Sequence, residues 1–79
     1  MPKKIVHLVF PQKLVKDPVI YTMVKKYDVI PNIRRAKVTE TVGEMTLELS
    51  GTDESLEKAI NYLEKTGISV ETVLGDIIE

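Results

Sequence analysis

An α+β sandwich in the order β-α-β-β-α-β is predicted by three features of this 79-residue chain. It opens on a run of β-branched and apolar residues, it carries two segments of helical spacing with their own start signals, and a period-2 stretch lies between those segments. Two βαβ halves joined by a hairpin form the split βαβ, or ferredoxin-like, topology. That topology predicts a four-stranded antiparallel sheet with both helices on one face and the strands in the spatial order fourth, first, third, second.

Each element follows from its residues. Lys4 to Phe10 is almost entirely apolar and β-branched or aromatic, with His7 as the polar interruption and Pro11 as the stop, so it reads as a strand near the middle of the sheet. Ile5 and Val9 share one face of it, and Val6, Leu8 and Phe10 the other. In "KDPVIYTMVKKYD" Asp17 stands where an N-cap belongs and Pro18 at the first helical position. Val19, Ile20, Met23, Val24 and Tyr27 then form a buried stripe, while Lys25 and Lys26 face outward. Asn32 to Glu40 reads as an edge strand with Ala36 and Val38 on one face and Arg35, Lys37 and Thr39 on the other. "TVGE" is read as the turn. Met45, Leu47 and Leu49 alternate with Glu44, Thr46, Glu48 and Ser50, giving a strand with one core face and one polar face. Thr52 or Asp53 caps the second helix, Leu56, Ala59, Ile60 and Leu63 fall on one side of it, and Gly67 supplies the C-terminal stop. Ile68 to Leu74 closes as a strand, followed by the tail "GDIIE".

A single domain over residues 1–79 is the expected organisation, and at this size folding buries only about 60% of the surface exposed by the unfolded chain. A core this small gains from a partner surface. The first strand is apolar on both faces, so part of the helix-free sheet face is expected to meet another chain. With no cysteine and one histidine, disulfide staples and a metal site are not expected. Eleven basic residues against twelve acidic ones, a net charge of −1, lack the excess of cations that phosphate contacts require, so no nucleic-acid partner is expected. No run approaches the ~20 apolar residues of a membrane span, and the N-terminus does not read as a signal peptide, so a cytoplasmic, cofactor-free chain is expected.

The residues present do not fit the chemistries that this topology commonly hosts. An RNA-recognition module stacks bases on aromatics of its central strands, but Tyr21, Tyr27 and Tyr62 fall on helices and Phe10 is the only Phe. A metal chaperone needs a C-x-x-C and an iron–sulfur protein a cysteine run. A phosphatase loop needs glycines, where this chain has "PQKLVKDP". His7 has no Ser or Asp placed to form a relay and reads as a half-buried strand histidine. Asp53, Glu54, Glu57 and Glu64 are explained by solvation and by the helix dipole. No catalytic residue is assigned.

The stretch "DVIPNIRRAKV" is open to two readings. Pro31 extends Ile30, Asn32 serves a turn and the arginines keep an edge strand soluble. Alternatively, Asn32 has an amide that both donates and accepts, and beside the free backbone of an edge strand it helps hold a small zwitterion.

Three segments, "DPVIYTMVKKYDVIPNI", "LELSGTDESLEKAINYL" and "KTGISVE", together resemble the NIL domain. This is an ACT-like regulatory fold named for an Asn-Ile-Leu tripeptide at the entrance of its second strand. Such domains occur at the C-terminus of the ATPase subunit of methionine ABC importers, where they bind methionine and inhibit transport. They also occur in small proteins associated with sulfur amino acid metabolism, whose type the tail "VETVLGDIIE" resembles. No phosphate-binding loop of an ATPase is present.

The resemblance implies a non-catalytic regulatory module that binds a small amino acid, methionine or a related sulfur amino acid, at or near a homodimer interface. By position, Asn32 and Ile33 match the tripeptide and are the expected ligand-binding residues. Arg34 stands where the family has leucine, a change that turns recognition towards a more acidic ligand. The alternative is an accessory protein that docks onto a sulfur-transfer or homocysteine-forming enzyme through Arg34 and Arg35.

Overall fold

The computed structural model describes residues 2–14 and 18–73. The elements are β1 (Lys3–Phe10), a 3-10 turn (Gln12–Leu14), α1 (Val19–Tyr27), β2 (Ile30–Val38), β3 (Gly43–Ser50), α2 (Asp53–Thr66) and β4 (Ser69–Val73). All sheet pairings are antiparallel and the order is β2-β3-β1-β4, the predicted order read from the other edge. The fold is therefore the α+β, ferredoxin-like sandwich with its two helices on one face of the sheet. The short 3-10 turn, closed by the Leu14 N–H donating to the Pro11 carbonyl at 2.9 Å, has no counterpart in the sequence reading.

The core lies between the sheet and the helices. Val6, Leu8 and Phe10 of β1 and Leu47 and Leu49 of β3 project into it, and Val19, Met23, Leu56, Ala59 and Leu63 meet them from the helices. Each large side chain buried in this way contributes about 1.5–3 kcal/mol relative to exposure. Tyr27 and Tyr62 join the two helices, with ring centroids 5.5 Å apart.

The helix ends explain where the chain turns. Thr52 caps α2 by accepting from the Ser55 N–H at 3.0 Å, and Gly67, at φ 107°, ends it in the left-handed conformation that glycine adopts without a Cβ penalty. At α1 the expected geometry is corrected. Pro18 has ψ 58°, which is not helical, so it precedes the first turn rather than starting it. Its carbonyl accepts from both the N–H and the hydroxyl of Thr22, at 3.1 and 3.0 Å. Asp17, read as the cap, lies outside the described residues, as do Leu74 and the tail. α1 ends at Asp28, which adopts φ 56° and donates its N–H to the Val24 carbonyl at 3.1 Å.

The second hairpin also differs from the reading in detail. β2 begins at Ile30 rather than Asn32 and runs through Pro31, which an edge strand tolerates because its missing N–H removes no bond from the sheet interior. The turn falls over Thr39 to Val42, earlier than "TVGE". The Thr39 hydroxyl takes the Val42 N–H at 3.0 Å, and the Thr39 N–H reaches the Val42 carbonyl at 2.7 Å, so threonine closes this turn without help from Gly43.

The helix-free face exposes less apolar surface than the sequence predicts. Ile5 projects there but is only 6% exposed within this chain, which leaves Val9, at 37%, as the exposed apolar residue of β1.

Candidate functional site

The residues singled out in sequence enter the fold where the chain leaves α1. Val29 is buried against Gly51, where even an added Cβ would stand 3.2 Å from the valine methyl, and this anchors the start of β2. Asn32 then pairs with Glu48, and Ile33 with Leu47. Leu47 belongs to the core, so Ile33 projects towards the helix side and Asn32 towards the helix-free face. Both are exposed, Ile33 to 57%. They flank one edge but do not converge in a common pocket.

Arg34 is the point at which the register shifts. Ile33 pairs with Leu47 and Arg35 with Thr46, so Arg34 is an extra residue, a β-bulge. Strict alternation would put Arg35 on the same face as Ile33. The bulge resets the alternation, so that Arg35, opposite Thr46, and Lys37, opposite Glu44, join the helix-free face. Arg34 reaches Glu48 there, with Nη1 to Oε2 at 3.7 Å. The ion pair across this ladder is thus made by the bulged residue, Arg34, with Glu48.

The same registers align one row of side chains across the whole sheet. Arg35 on β2 is opposite Thr46 on β3, Thr46 is opposite His7 on β1, and His7 is opposite Glu71 on β4. His7 Nδ1 lies 3.1 Å from the Thr46 hydroxyl and its Nε2 3.6 Å from Glu44 Oε1, which fixes the half-buried ring. Two grooves run over this row. One of about 570 Å³ is lined by Arg34, Arg35, Thr46, His7, Glu71, Ile5 and Val73. The other, of about 260 Å³, shares His7, Arg35 and Thr46 with it and adds Lys37 and Glu44. A third groove, of about 160 Å³, lies at the opposite end of β2 between Val38 and the start of α1, and its wall of Phe10, Val19, Ile20 and Met45 is apolar. Asn32 and Ile33 line none of these three grooves.

The face can present hydrogen-bond donors, carboxylates and a short apolar floor, which is chemistry for binding a small polar molecule. It cannot present rings. Tyr21 and Tyr27 are on α1, Tyr62 is on α2 and Phe10 points into the core, so no base-stacking platform exists among the described residues. Nor do three His, Asp or Glu side chains among them gather as a metal site would require. The sequence reading missed Arg35, Thr46 and Glu71 as neighbours of His7. The period-2 pattern already put Thr46 on the polar face of β3, but aligning β2 with it required knowing about the bulge.

Comparison with known proteins agrees with this architecture. The NIL domain profile matches residues 4–72. The methionine import ATP-binding protein MetN 2 of Acinetobacter baylyi is 39% identical over 70 residues, which cover 84% of this chain and 20% of that protein. MetN 1 of Listeria monocytogenes is 31% identical over 74 residues, 89% of this chain and 22% of that protein. The chain thus spans about a fifth of the length of these relatives. Among solved structures, the C-terminal domain of an ABC transporter ATP-binding protein from Enterococcus faecalis superimposes with a TM-score of 0.79 at 27% identity, covering 90% of this chain and 83% of that one. An ACT domain protein from Streptococcus pneumoniae shares the fold, with a TM-score of 0.63 at 13% identity over 98% of this chain and 93% of its own.

Proposed function

The chain belongs to the NIL domain family, and from that premise we propose that it is a non-catalytic regulatory module that binds a small amino acid, methionine or a related sulfur amino acid. The observation that carries this reading is its 39% identity, over 84% of this chain, with a methionine import ATP-binding protein. Local geometry supports it. Asn32 and Ile33 stand on a strand that is an edge of the sheet among the described residues, where an amide and backbone groups face outward, and Arg34, which meets Glu48, follows them. A sensor of this kind acts in the cytoplasm, where it would report an imported or newly made amino acid.

The module works as a homodimer in this reading. Among the described residues β2 has a partner strand on one side only, and Ile30, Ile33 and Val38 along it are 60%, 57% and 61% exposed. Pairing of two β2 strands would cover these side chains and bring both copies of Asn32 and Arg34 to one interface. The decisive measurement is isothermal titration of the chain with L-methionine, L-homocysteine and L-aspartate. Saturable heat is expected with the sulfur amino acids, and absence of heat from all of them at millimolar concentration would sink the proposal.

A further inference from the structure

We infer that the charged ends of a free α-amino acid are held on the helix-free face of the sheet, its carboxylate by Arg35 with Thr46 and its ammonium by Glu71, with its side chain laid over Ile5 and Val73. This rests on the amino-acid reading above and moves the ligand's charged groups from the Asn32 end of β2 to the middle of the sheet.

Two charged side chains of this face lack partners among the described residues. Arg35 and Glu71 line one groove of about 570 Å³, yet neither side chain has an ion pair or hydrogen bond with another described residue. They lie on opposite edge strands, β2 and β4, with β3 and β1 between them. Adjacent strands are about 4.8 Å apart, so a direct bridge would have to span three such gaps, whereas a small molecule seated over Thr46 and His7 meets both charges from the middle. Arg34, by contrast, already meets Glu48 and forms the wall of the groove.

Charge decides the class of ligand. The groove offers a planar guanidinium suited to a carboxylate and, across the sheet, a carboxylate suited to an ammonium. A simple anion would be repelled by Glu71, and a simple cation by the two arginines. A dipolar molecule satisfies both ends. Thr46 completes the carboxylate site. Its hydroxyl is held at 3.1 Å from His7 Nδ1, and when both ring nitrogens carry protons, Nε2–H towards Glu44 and Nδ1–H towards Thr46, the hydroxyl hydrogen is left to donate to a ligand oxygen. Ile5 and Val73 face each other on β1 and β4 beside this row and form an apolar floor for an aliphatic or thioether side chain. The apolar groove at α1 offers no comparable pair of charges, and Asn32 lies outside all of these surfaces.

The test is a titration of the ¹⁵N-labelled full chain with L-methionine, L-methionine amide and N-acetyl-L-methionine, repeated with Arg35→Ala and Glu71→Gln. The amide lacks the carboxylate and the N-acetyl compound lacks the ammonium, so each variant has a ligand to which its lost charge is irrelevant. The site predicts amide shifts centred on Ile5, His7, Thr46 and Glu71. It predicts at least tenfold weaker methionine binding in either variant, with less than twofold change for the amide in Arg35→Ala and for the N-acetyl compound in Glu71→Gln. Shifts confined to Asn32 and Ile33, or to the groove of Phe10 and Val38, with both variants binding as the parent does, would overturn this site and leave amino-acid binding standing. No binding of methionine, homocysteine or aspartate by the parent would overturn both.

Discussion

Arg34 Nη1 lies 3.7 Å from Glu48 Oε2 at the one place where the pairing of β2 with β3 shifts register. The extra residue is what lets Ile33 and Ala36 share the helix side while Arg35 and Lys37 share the other. If that is the role of the bulge, deleting one arginine, to leave "IPNIRAKV", removes the irregularity without moving any other side chain to the wrong face. The shortened chain is expected to unfold cooperatively in urea, with an amide spectrum altered only near the hairpin. Loss of cooperative unfolding would mean that the bulge is required for the fold. The ion pair itself is part-exposed, 33% and 21% at its two side chains, so a double-mutant cycle of Arg34→Ala with Glu48→Ala should give a coupling below about 1 kcal/mol.

His7 and Thr46 meet across the centre of the sheet at 3.1 Å. Replacing Thr46 with Val keeps the β-branched shape and removes the hydroxyl, so the cost is the net worth of one part-buried hydrogen bond, about 0.5–1.5 kcal/mol. Urea denaturation should show that loss with an unchanged m-value. A variant as stable as the parent would show that the ring is positioned by packing alone.

Much of the fold was legible in sequence because its signals are local. The second helix was readable from Thr52, the Leu56-Ala59-Ile60-Leu63 stripe and Gly67, and all of them take the expected places. The polar face of β3 was readable from simple alternation, and it faces away from the helices. What could not be read depends on events between strands. The sequence "NIRRAKV" is compatible with unbroken alternation, and only the pairing with Leu47 and Thr46 fixes the bulge at Arg34. The burial of Ile5 on the polar face is likewise a tertiary outcome, invisible to a pattern that assigns faces and not depth. The candidate site was accordingly half legible. Arg34 was named and lines a groove, but its neighbours Arg35, Thr46, His7 and Glu71 come from four different strands.

The two ends of α2 provide graded tests of stability. Thr52→Ala removes the hydroxyl that accepts from the Ser55 N–H and should cost about 1 kcal/mol. Gly67→Ala places a Cβ on a residue at φ 107° and should cost roughly 1–2 kcal/mol, since the strain is conformational and the nearest side-chain atom, on Leu14, is 3.7 Å away. In the interior Leu63→Ala should cost 2–5 kcal/mol, by the usual range for such truncations, roughly. Against a total of about 5–15 kcal/mol, that alone brings so small a domain near its unfolding threshold. Thermal or urea midpoints should therefore fall in the order Thr52→Ala least and Leu63→Ala most, and an inverted order would contradict the packing described.

The edge of β2 yields the test of assembly. Ile33 is 57% exposed on a strand that has no neighbour on its outer side among the described residues, and replacing it with Lys leaves the core intact while introducing a charge where two copies would meet. If the β2 strands pair, the two lysines are brought together near the two-fold axis, each desolvated and close to a like charge, and both effects oppose association. Sedimentation velocity is expected to show the parent chain as a dimer at micromolar concentration and Ile33→Lys as a monomer with the same far-UV spectrum. A parent that sediments as a monomer throughout would remove the homodimer. A lysine variant that remains dimeric would place the interface elsewhere, and the remaining exposed apolar residue of β1, Val9, then marks the face to be substituted next.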